Sequence, residues 1–301
     1  MVKITITGST GFVGKNLLKY LNDSQSWSIS APDIRTKTIN DSTFDGDVLI
    51  HLAGKAHDLK KVSAPEDYYK VNTELTKSLY NVFLHSKATK FIFVSSVKAA
   101  ADSLDGPLTE GLLALPGTDY GKSKLLAERY IQGVELPLGK KYFILRPCMI
   151  HGPGNKGNLN LLYKFVAKGL PYPLASFNNK RSFLSVENLC FIIKEILVRD
   201  DIPAGVYNVA DDEPLATSEV VQLLSVSMGK RARLLQLPVT LIKGIARLGD
   251  KLHLPLNTER LQKLTENYIV DNTKIKQVLK KPLPLSAREG ILKTARSFKD
   301  A

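Results

Sequence analysis

Two patterns of apolar and polar residues alternate along the first half of the chain. Short runs of apolar and β-branched residues predict buried strands, at residues 2–7, 47–54, 90–96 and 142–147. Longer segments with an apolar residue every three or four positions predict helices, at residues 15–21, 66–86 and 120–131. Because continuous apolar strands between helices suit a parallel sheet covered on both faces, we expect a doubly wound α/β fold.

The pattern changes after Pro147. A cluster of Gly, Pro and Asn at residues 151–155 predicts a turn, and residues 159–168 predict a helix. Residues 205–209 predict a late strand, and helical segments dominate beyond it.

One segment fits this fold poorly. Only residues 41–46 separate a candidate third strand at residues 37–40 from the strand that begins at Asp47. A helical crossover between parallel strands needs a dozen residues or more. Either the edge of the sheet is abbreviated or this strand assignment is wrong.

A glycine-rich turn joins the first strand to the first helix. Gly8 allows a tight turn, Gly11 lets the backbone approach a pyrophosphate, and Gly14 lets the helix pack against the strand. The helix N-terminus then presents unpaired N–H groups to the anion. Strand, turn and helix together predict a dinucleotide site, with an ordinary strand-to-helix turn as the simpler alternative.

A dinucleotide site near the start of the chain indicates two domains. Residues 1–150 are expected to form a Rossmann-type cofactor domain. Residues 151–301 are expected to form a smaller, mainly helical substrate domain over the carboxyl ends of the strands. The segment near residues 181–209 is expected to return to the first domain.

Tyr120 and Lys124 are the second set of residues that indicates a chemical function. Residues four apart lie on the same face of a helix, and an ammonium beside a phenol favours the phenolate and lowers the tyrosine pKa. Such a tyrosine can donate or accept a proton during hydride transfer. An exposed helical pair without chemistry is the alternative.

Composition narrows the function classes. Hydrophobic residues make up 44% of the 301 positions, which supports a substantial core. The only cysteines, Cys148 and Cys190, lie in apolar runs, which favours a reducing, cytoplasmic location over a disulfide scaffold. No signal-like segment begins the chain and no apolar run reaches about 18 residues, so no membrane span is predicted. No metal site is predicted either.

The net charge of +13 is unevenly distributed. Residues 230–301 contain 16 Lys or Arg against 6 Asp or Glu. Because aromatic residues are not interleaved with these charges, nucleic acid is not an expected partner. A solvated basic face is the simplest interpretation, and a field that attracts a doubly charged nucleotide sugar is the functional one.

With these motifs in order, the chain resembles the extended short-chain dehydrogenase/reductase family, and most closely its nucleotide-sugar epimerases, dehydratases and ketoreductases. Further matches are the H-L-A-G run ending at Gly54, Asn72 on the next helix, the F-V-S-S run ending at Ser96, and L-R-P ending at Pro147. The resemblance implies cofactor contacts at Gly8, Gly11, Phe12, Val13, Gly14, Leu52, Ala53, Gly54, Asn72, Tyr120, Lys124 and Pro147.

The resemblance also implies catalytic roles. Ser96 would hydrogen-bond the sugar hydroxyl or ketone, and Tyr120 would act as general acid or base at the same oxygen. Lys124 would bind the nicotinamide ribose and hold the Tyr120 pKa down. A serine satisfied by backbone at a strand end is the alternative for Ser96.

Substrate contacts carry over at two positions. Asn158 matches an Asn that contacts the sugar diphosphate, and Arg181 matches an Arg that binds the nucleotide diphosphate through paired N–H donors. A plain surface arginine is the alternative for Arg181. A second basic contact is expected among Arg260, Lys263 and their neighbours.

The residues after Ser96 bear on the reaction. Dehydratases carry an Asp-Glu pair there, whereas this chain has Val97 and Lys98; many 4-epimerases carry Val-Tyr-Gly slightly later, where this chain has three alanines. The S-S-V-K run is more similar to bacterial reductases of UDP-4-keto-6-deoxy-N-acetylhexosamines. A 4-ketoreductase for surface polysaccharide synthesis is therefore favoured slightly over a UDP-sugar 4-epimerase. A non-enzymatic sensor or scaffold is disfavoured because Ser96, Tyr120 and Lys124 are all present.

Cofactor choice depends on the end of the second strand. Asp33 stands at the spacing of an acid that binds the ribose 2′-OH and selects NAD, whereas Arg35 and Lys37 could accept the 2′-phosphate of NADP. The prediction is NAD(P), with NAD favoured. The resemblance further implies a homodimer through the helices after Glu66 and around Tyr120.

Overall fold

The computed structural model describes residues 1–22, 27–34, 46–55, 64–155, 157–252 and 257–299. Its strands are β1 (Val2–Thr7), β2 (Trp27–Ser30), β3 (Val48–His51), β4 (Lys90–Val94), β5 (Lys141–Pro147), β6 (Met149–His151), β7 (Lys180–Arg181), β8 (Phe183–Ser185), β9 (Gly205–Val209) and β10 (Leu215–Ala216). Its α-helices are α1 (Phe12–Asn22), α2 (Pro65–Tyr68), α3 (Leu75–His85), α4 (Asp119–Gly133), α5 (Asn158–Ala167), α6 (Val186–Val198), α7 (Thr217–Ser227), α8 (Val239–Leu252), α9 (Thr258–Thr265), α10 (Thr273–Leu279) and α11 (Ala287–Ser297).

A six-stranded parallel sheet has the order β2-β1-β3-β4-β5-β9. The chain builds outward from β1 in both directions, so a crevice forms at the carboxyl ends of β1 and β3, where ligands bind in open α/β sheets. The doubly wound, Rossmann-type prediction is confirmed. β9 coincides with the predicted late strand and extends the sheet beyond β5.

The interior of the described residues has three separate hydrophobic clusters, and the third packs α3 and α4 against the sheet through Leu79, Ala127 and Phe91. One contains the main-sheet residues Ile4, Ile50 and Phe143 with segments from later in the chain, including Leu189 and Ile275. A second lies among the helices of the second half and contains residues from α5, α7, α8 and α11. Two short sheets, β6 with β8 and β7 with β10, were not predicted. The boundary at residue 150 stays a prediction.

The predicted helix over residues 66–86 differs in detail. Between α2 and α3, residues Tyr69–Glu74 form a π-helical turn. Such turns insert an extra residue and are frequent at functional sites. The candidate strand at residues 37–40 lies outside the described residues. Within the described part of the chain, no helix is long and apolar enough to cross a membrane.

Candidate active site

The glycine turn meets the loop after β3. Gly8 has a positive φ of 74°, and a Cβ atom there would lie 2.5 Å from the backbone nitrogen of Ala53. A Cβ on Gly14 would run into the carbonyl oxygen of Gly8, so α1 packs directly on the turn. The predicted positions Leu52 and Ala53 therefore lie against the turn.

The start of α1 fits a pyrophosphate. The helix begins at Phe12, directly after Gly11, whose amide donates to the Gly8 carbonyl at 3.1 Å. The amides of Phe12 and Val13 belong to the first turn, whose N–H groups have no intrahelical partner. A close-packed backbone turn with N–H groups at a positive helix end suits the diphosphate of a dinucleotide.

Asp33 lies three residues past the end of β2, the strand beside β1, and is exposed. It is thus at the edge of the sheet, as expected of an acid whose spacing from the glycine turn predicts a contact with the ribose 2′-OH. Arg35 and Lys37, the residues that would favour NADP, lie outside the described residues.

Gly54, Asn72 and Lys124 come together beneath the turn. A Cβ on Gly54 would lie 3.0 Å from the side-chain oxygen of Asn72 and 3.1 Å from the Lys124 ammonium nitrogen. The Asn72 amide donates to the Ser123 hydroxyl at 3.0 Å and accepts from the Lys55 amide at 2.8 Å. Because Asn72 lies in the π-helical turn, that distortion ties the loop after β3 to the helix that carries Lys124.

Ser96 and Tyr120 are hydrogen-bonded to each other. Ser96 follows β4 and also accepts a bond from the Lys98 amide at 3.2 Å, whereas Tyr120 lies in the first turn of α4. The Tyr68 ring meets the Tyr120 ring edge-on with centroids 6.2 Å apart. The structure therefore joins the two predicted reacting side chains across 24 residues of sequence.

The prediction that Lys124 lowers the Tyr120 pKa is wrong. The pKa of Tyr120 is raised rather than lowered, because burial penalises the phenolate more than the Ser96 hydrogen bond favours it. The Lys124 ammonium instead donates to the Val94 carbonyl at 3.1 Å and lies 4.7 Å from the centre of the Phe93 ring. Burial lowers the pKa of Lys124 to about 8, against the opposing effect of Glu128.

A buried ion pair under Lys124 was missed by sequence reasoning. Glu128 lies one turn further along α4 and accepts from the Arg146 guanidinium at 3.0 and 3.1 Å, and from the Ser95 hydroxyl at 2.5 Å. Both charged side chains are buried. Arg146 is the middle residue of the L-R-P run and was therefore visible in the sequence. Its partner Glu128 lies on another element, and no sequence pattern links the two residues.

The predicted substrate contacts are more dispersed. The Arg181 guanidinium bonds the Lys263 carbonyl and the Glu266 carboxylate, the latter at 3.2 Å. Asn158 is exposed at the start of α5, and Pro147 is buried at the carboxyl end of β5.

Lys98 is a further candidate that sequence reasoning used only for reaction type. Its ammonium lies 4.5 Å from the Tyr268 ring centre and donates to the Asp102 carbonyl at 2.8 Å. Burial lowers the Lys98 pKa, the Asp102 and Glu266 carboxylates oppose that shift, and the positive charge of Arg181 adds a smaller lowering. Arg181 pairs with Tyr268 in a β-bridge, so Lys98 and Arg181 both lie next to Tyr268.

The family model described as "NAD dependent epimerase/dehydratase family" matches residues 4–210, which include the whole site from Gly8 to Arg181. The chain belongs to this family. Membership in the NAD dependent epimerase/dehydratase family confirms the resemblance, the predicted class of enzyme and the predicted NAD(P) cofactor.

Individual relatives within the family carry epimerase names. A UDP-glucose 4-epimerase of Vibrio cholerae is 30% identical, covering 99% of this chain and 96% of the relative. The N-acetyl-alpha-D-glucosaminyl-diphospho-ditrans,octacis-undecaprenol 4-epimerase of Escherichia coli O157:H7 is 29% identical over 79% of this chain and 76% of its own length. The crystal structure of a UDP-glucuronic acid 4-epimerase from Bacillus cereus in complex with NAD shares the fold, with a TM-score of 0.78, 19% identity and 99% of both chains covered.

Proposed function

We propose that the protein is a UDP-sugar 4-epimerase that retains its NAD. The observation that carries the chemistry is the hydrogen-bonded Ser96–Tyr120 pair, with the buried Lys124 one turn further along the helix that carries Tyr120. The preference for epimerisation over reduction is supported by the relative that aligns along 99% of the chain. This reverses the order of the two alternatives drawn from the residues after Ser96.

Ser96 and Tyr120 are proposed to have different roles in the reaction at carbon 4. Ser96 would orient the sugar oxygen, and Tyr120, once ionised to the phenolate, would accept the O4 proton as carbon 4 is oxidised to a ketone. When the ketone is reduced on its opposite face, Tyr120 would return that proton to O4, which gives the inverted alcohol. Bound NAD supplies the hydride acceptor for the first half and the hydride donor for the second.

Lys124 supports this proton transfer in two ways. Its ammonium lies beside Gly54, where a nicotinamide ribose would bind, and its positive charge favours the phenolate of Tyr120 once substrate binding orders the site. The raised Tyr120 pKa means that the phenol holds its proton until such groups are in place.

Arg181 and Lys98 are proposed to bind the diphosphate of the substrate. A guanidinium and an ammonium in one environment suit an anion with two phosphates. Arg181 would exchange the Glu266 carboxylate for phosphate oxygens on binding. The two epimerase relatives differ in the group that their names join to the diphosphate, which is uridine in one and undecaprenol in the other. We assign a uridine diphosphate sugar to this chain.

The test uses purified protein without added cofactor. Denaturation should release near-stoichiometric NAD, and native protein should equilibrate UDP-glucose with UDP-galactose, or the corresponding N-acetylhexosamines, as followed by chromatography. The same preparation is offered a UDP-4-keto-6-deoxy-N-acetylhexosamine with NADH or NADPH. Steady loss of reduced nicotinamide there, with no epimerisation, would replace the proposal with the 4-ketoreductase, which remains the second candidate because of the S-S-V-K run.

A further inference from the structure

Helix α8 has an apolar face that is exposed among the residues the structure describes. On one side, Ile242 and Ala246 are buried in the second core cluster. The adjacent side carries four large apolar residues spaced four, three and four apart, which places them along one face of a helix. These are Leu241, Ile245, Leu248 and Leu252, exposed by 52%, 44%, 52% and 58% respectively, and are called the α8 stripe below.

A basic row runs beside the α8 stripe. Lys243, Arg247 and Lys251 follow one another at intervals of four on the remaining side of the helix, and all three are exposed. The segment from residue 230 to 252 contains six Lys or Arg and one acid, Asp250. The Asp250 carboxylate is turned toward α9, where it accepts from the Thr258 amide at 3.0 Å.

We propose that α8 docks the protein on an anionic lipid bilayer. A helix with leucines on one face and Lys or Arg on the other lies in the plane of the membrane interface, with its apolar residues among the upper acyl chains. The basic row would contact anionic headgroups, and the excess of Lys and Arg over residues 230–301 would add long-range attraction. The α8 stripe thus suits the acyl chains of a bilayer, and the basic row suits its anionic headgroups.

A second copy of the chain fits this face less well. Four side chains on one helix provide far less than the roughly 800 Å² per partner that a stable interface needs. Packing two α8 stripes together would also bring two basic rows into proximity, and like charges across an interface oppose association. Charge and area both favour the bilayer.

Docking at α8 would connect the membrane surface to the proposed diphosphate site through α9. α8 is linked to α9 through Asp250 and Thr258, and the Lys263 carbonyl of α9 accepts from Arg181. One helix therefore separates the α8 stripe from Arg181. The inference goes beyond the proposed function, since the stripe and its charges do not depend on which reaction the site performs.

The experiment is co-sedimentation of the full chain with lipid vesicles. We expect binding to vesicles of phosphatidylcholine plus phosphatidylglycerol, much weaker binding to phosphatidylcholine alone, and release by salt. The double variant Leu248→Ser/Leu252→Ser should lose the binding. The matched control Leu113→Ser/Leu138→Ser, at exposed positions away from α8, should keep it.

A second set of variants tests the charges. Replacing the three residues of the basic row with Gln should weaken binding to anionic vesicles by roughly fivefold per residue. The control replaces three exposed lysines elsewhere, namely Lys19, Lys70 and Lys87. Circular dichroism checks that each variant is folded.

Two outcomes would overturn the inference. Unchanged sedimentation of the folded Leu248→Ser/Leu252→Ser variant would show that α8 does not contact lipid. A dimer in light scattering that this variant converts to monomer, without vesicle binding by the parent protein, would assign the α8 stripe to a second copy. Epimerase activity is measured separately on all variants with a water-soluble substrate, so failure of the docking proposal is distinguishable from failure of the proposed reaction.

Discussion

Gly54 lies so close to Lys124 that a Cβ atom on the glycine would approach the ammonium nitrogen to 3.1 Å. The same Cβ would lie 3.0 Å from the side-chain oxygen of Asn72. Both distances are tighter than ordinary van der Waals contact, so a larger residue at this position would require the Asn72 or Lys124 side chain to shift by a few tenths of an ångström. The small size of Gly54 therefore helps to set the position of the Lys124 ammonium.

Gly54→Ala should displace Lys124 or the loop. Because the required shift is a few tenths of an ångström and a misplacement of about 1 Å can reduce turnover about 100-fold, we expect a loss of roughly tenfold in kcat with a small loss of stability. Steady-state kinetics and thermal unfolding measure the two effects. Gly111→Ala is the control, since a Cβ there meets open space. Equal kinetics in both variants would contradict the assigned role of this close approach.

Tyr120→Phe should reduce kcat by roughly 10²–10⁴-fold, the usual contribution of a positioned general acid or base. Nucleotide content after purification should stay near that of the parent protein. Tyr130→Phe, on the same helix but bonded to Asn81, is the matched control. Turnover that survives in Tyr120→Phe would remove this residue from the proton transfer.

Lys124→Met should stabilise nucleotide-free protein at pH 7 while abolishing turnover. The folded-state pKa is about 8 against a reference of 10.5, so burying the ammonium costs about 3 kcal/mol at pH 7. Between pH 8 and pH 10.5 the unfolded chain binds more protons than the folded chain, so the unfolding free energy of the parent protein rises with pH. The stability advantage of Lys124→Met over the parent protein therefore shrinks in this range.

Urea unfolding across pH 7–10.5 measures this difference. The exposed Lys122→Met serves as control and should show no such pH-dependent gain. Destabilisation of Lys124→Met at pH 7 would contradict the predicted cost of burying the charge.

Glu128→Gln should cost about 3–5 kcal/mol of unfolding free energy, because it leaves the buried Arg146 guanidinium without its carboxylate. Glu128→Leu/Arg146→Met, which removes both charges, should cost less than the single change. Glu74→Gln disrupts an exposed ion pair with Lys77 and should change stability by less than about 1 kcal/mol. A Glu128→Gln effect no larger than that of Glu74→Gln would show that the buried pair is not strongly coupled.

Arg181→Met and Lys98→Gln should each raise KM for the nucleotide sugar with little change in kcat, since a diphosphate contact acts equally in ground and transition states. Arg231→Met is a control at an exposed arginine in the second half of the chain. A fall in kcat at constant KM would place the side chain at the reacting carbon instead.

Local patterns predicted the parallel strands, the glycine turn and the Tyr120–Lys124 pair, because each depends on neighbours in sequence, and the family resemblance added Ser96. Three features could not be read this way. The Glu128–Arg146 pair joins a helix to a strand, and the π-helical turn at Tyr69–Glu74 shows the same apolar spacing as an ordinary helix. The Tyr120 pKa depends on how deeply the phenol is buried, which the motif itself does not encode.

The first and second hydrophobic clusters receive residues alternately as the chain proceeds beyond residue 150. Leu159 lies in the second cluster, Leu184 in the first, Leu215 in the second, Tyr268 in the first and Ala287 in the second. A chimaera joined to a relative at any single point between Leu159 and Leu279 would mismatch side chains in both of these clusters at once. New specificity in this chain is therefore more accessible to point substitution than to recombination of whole segments.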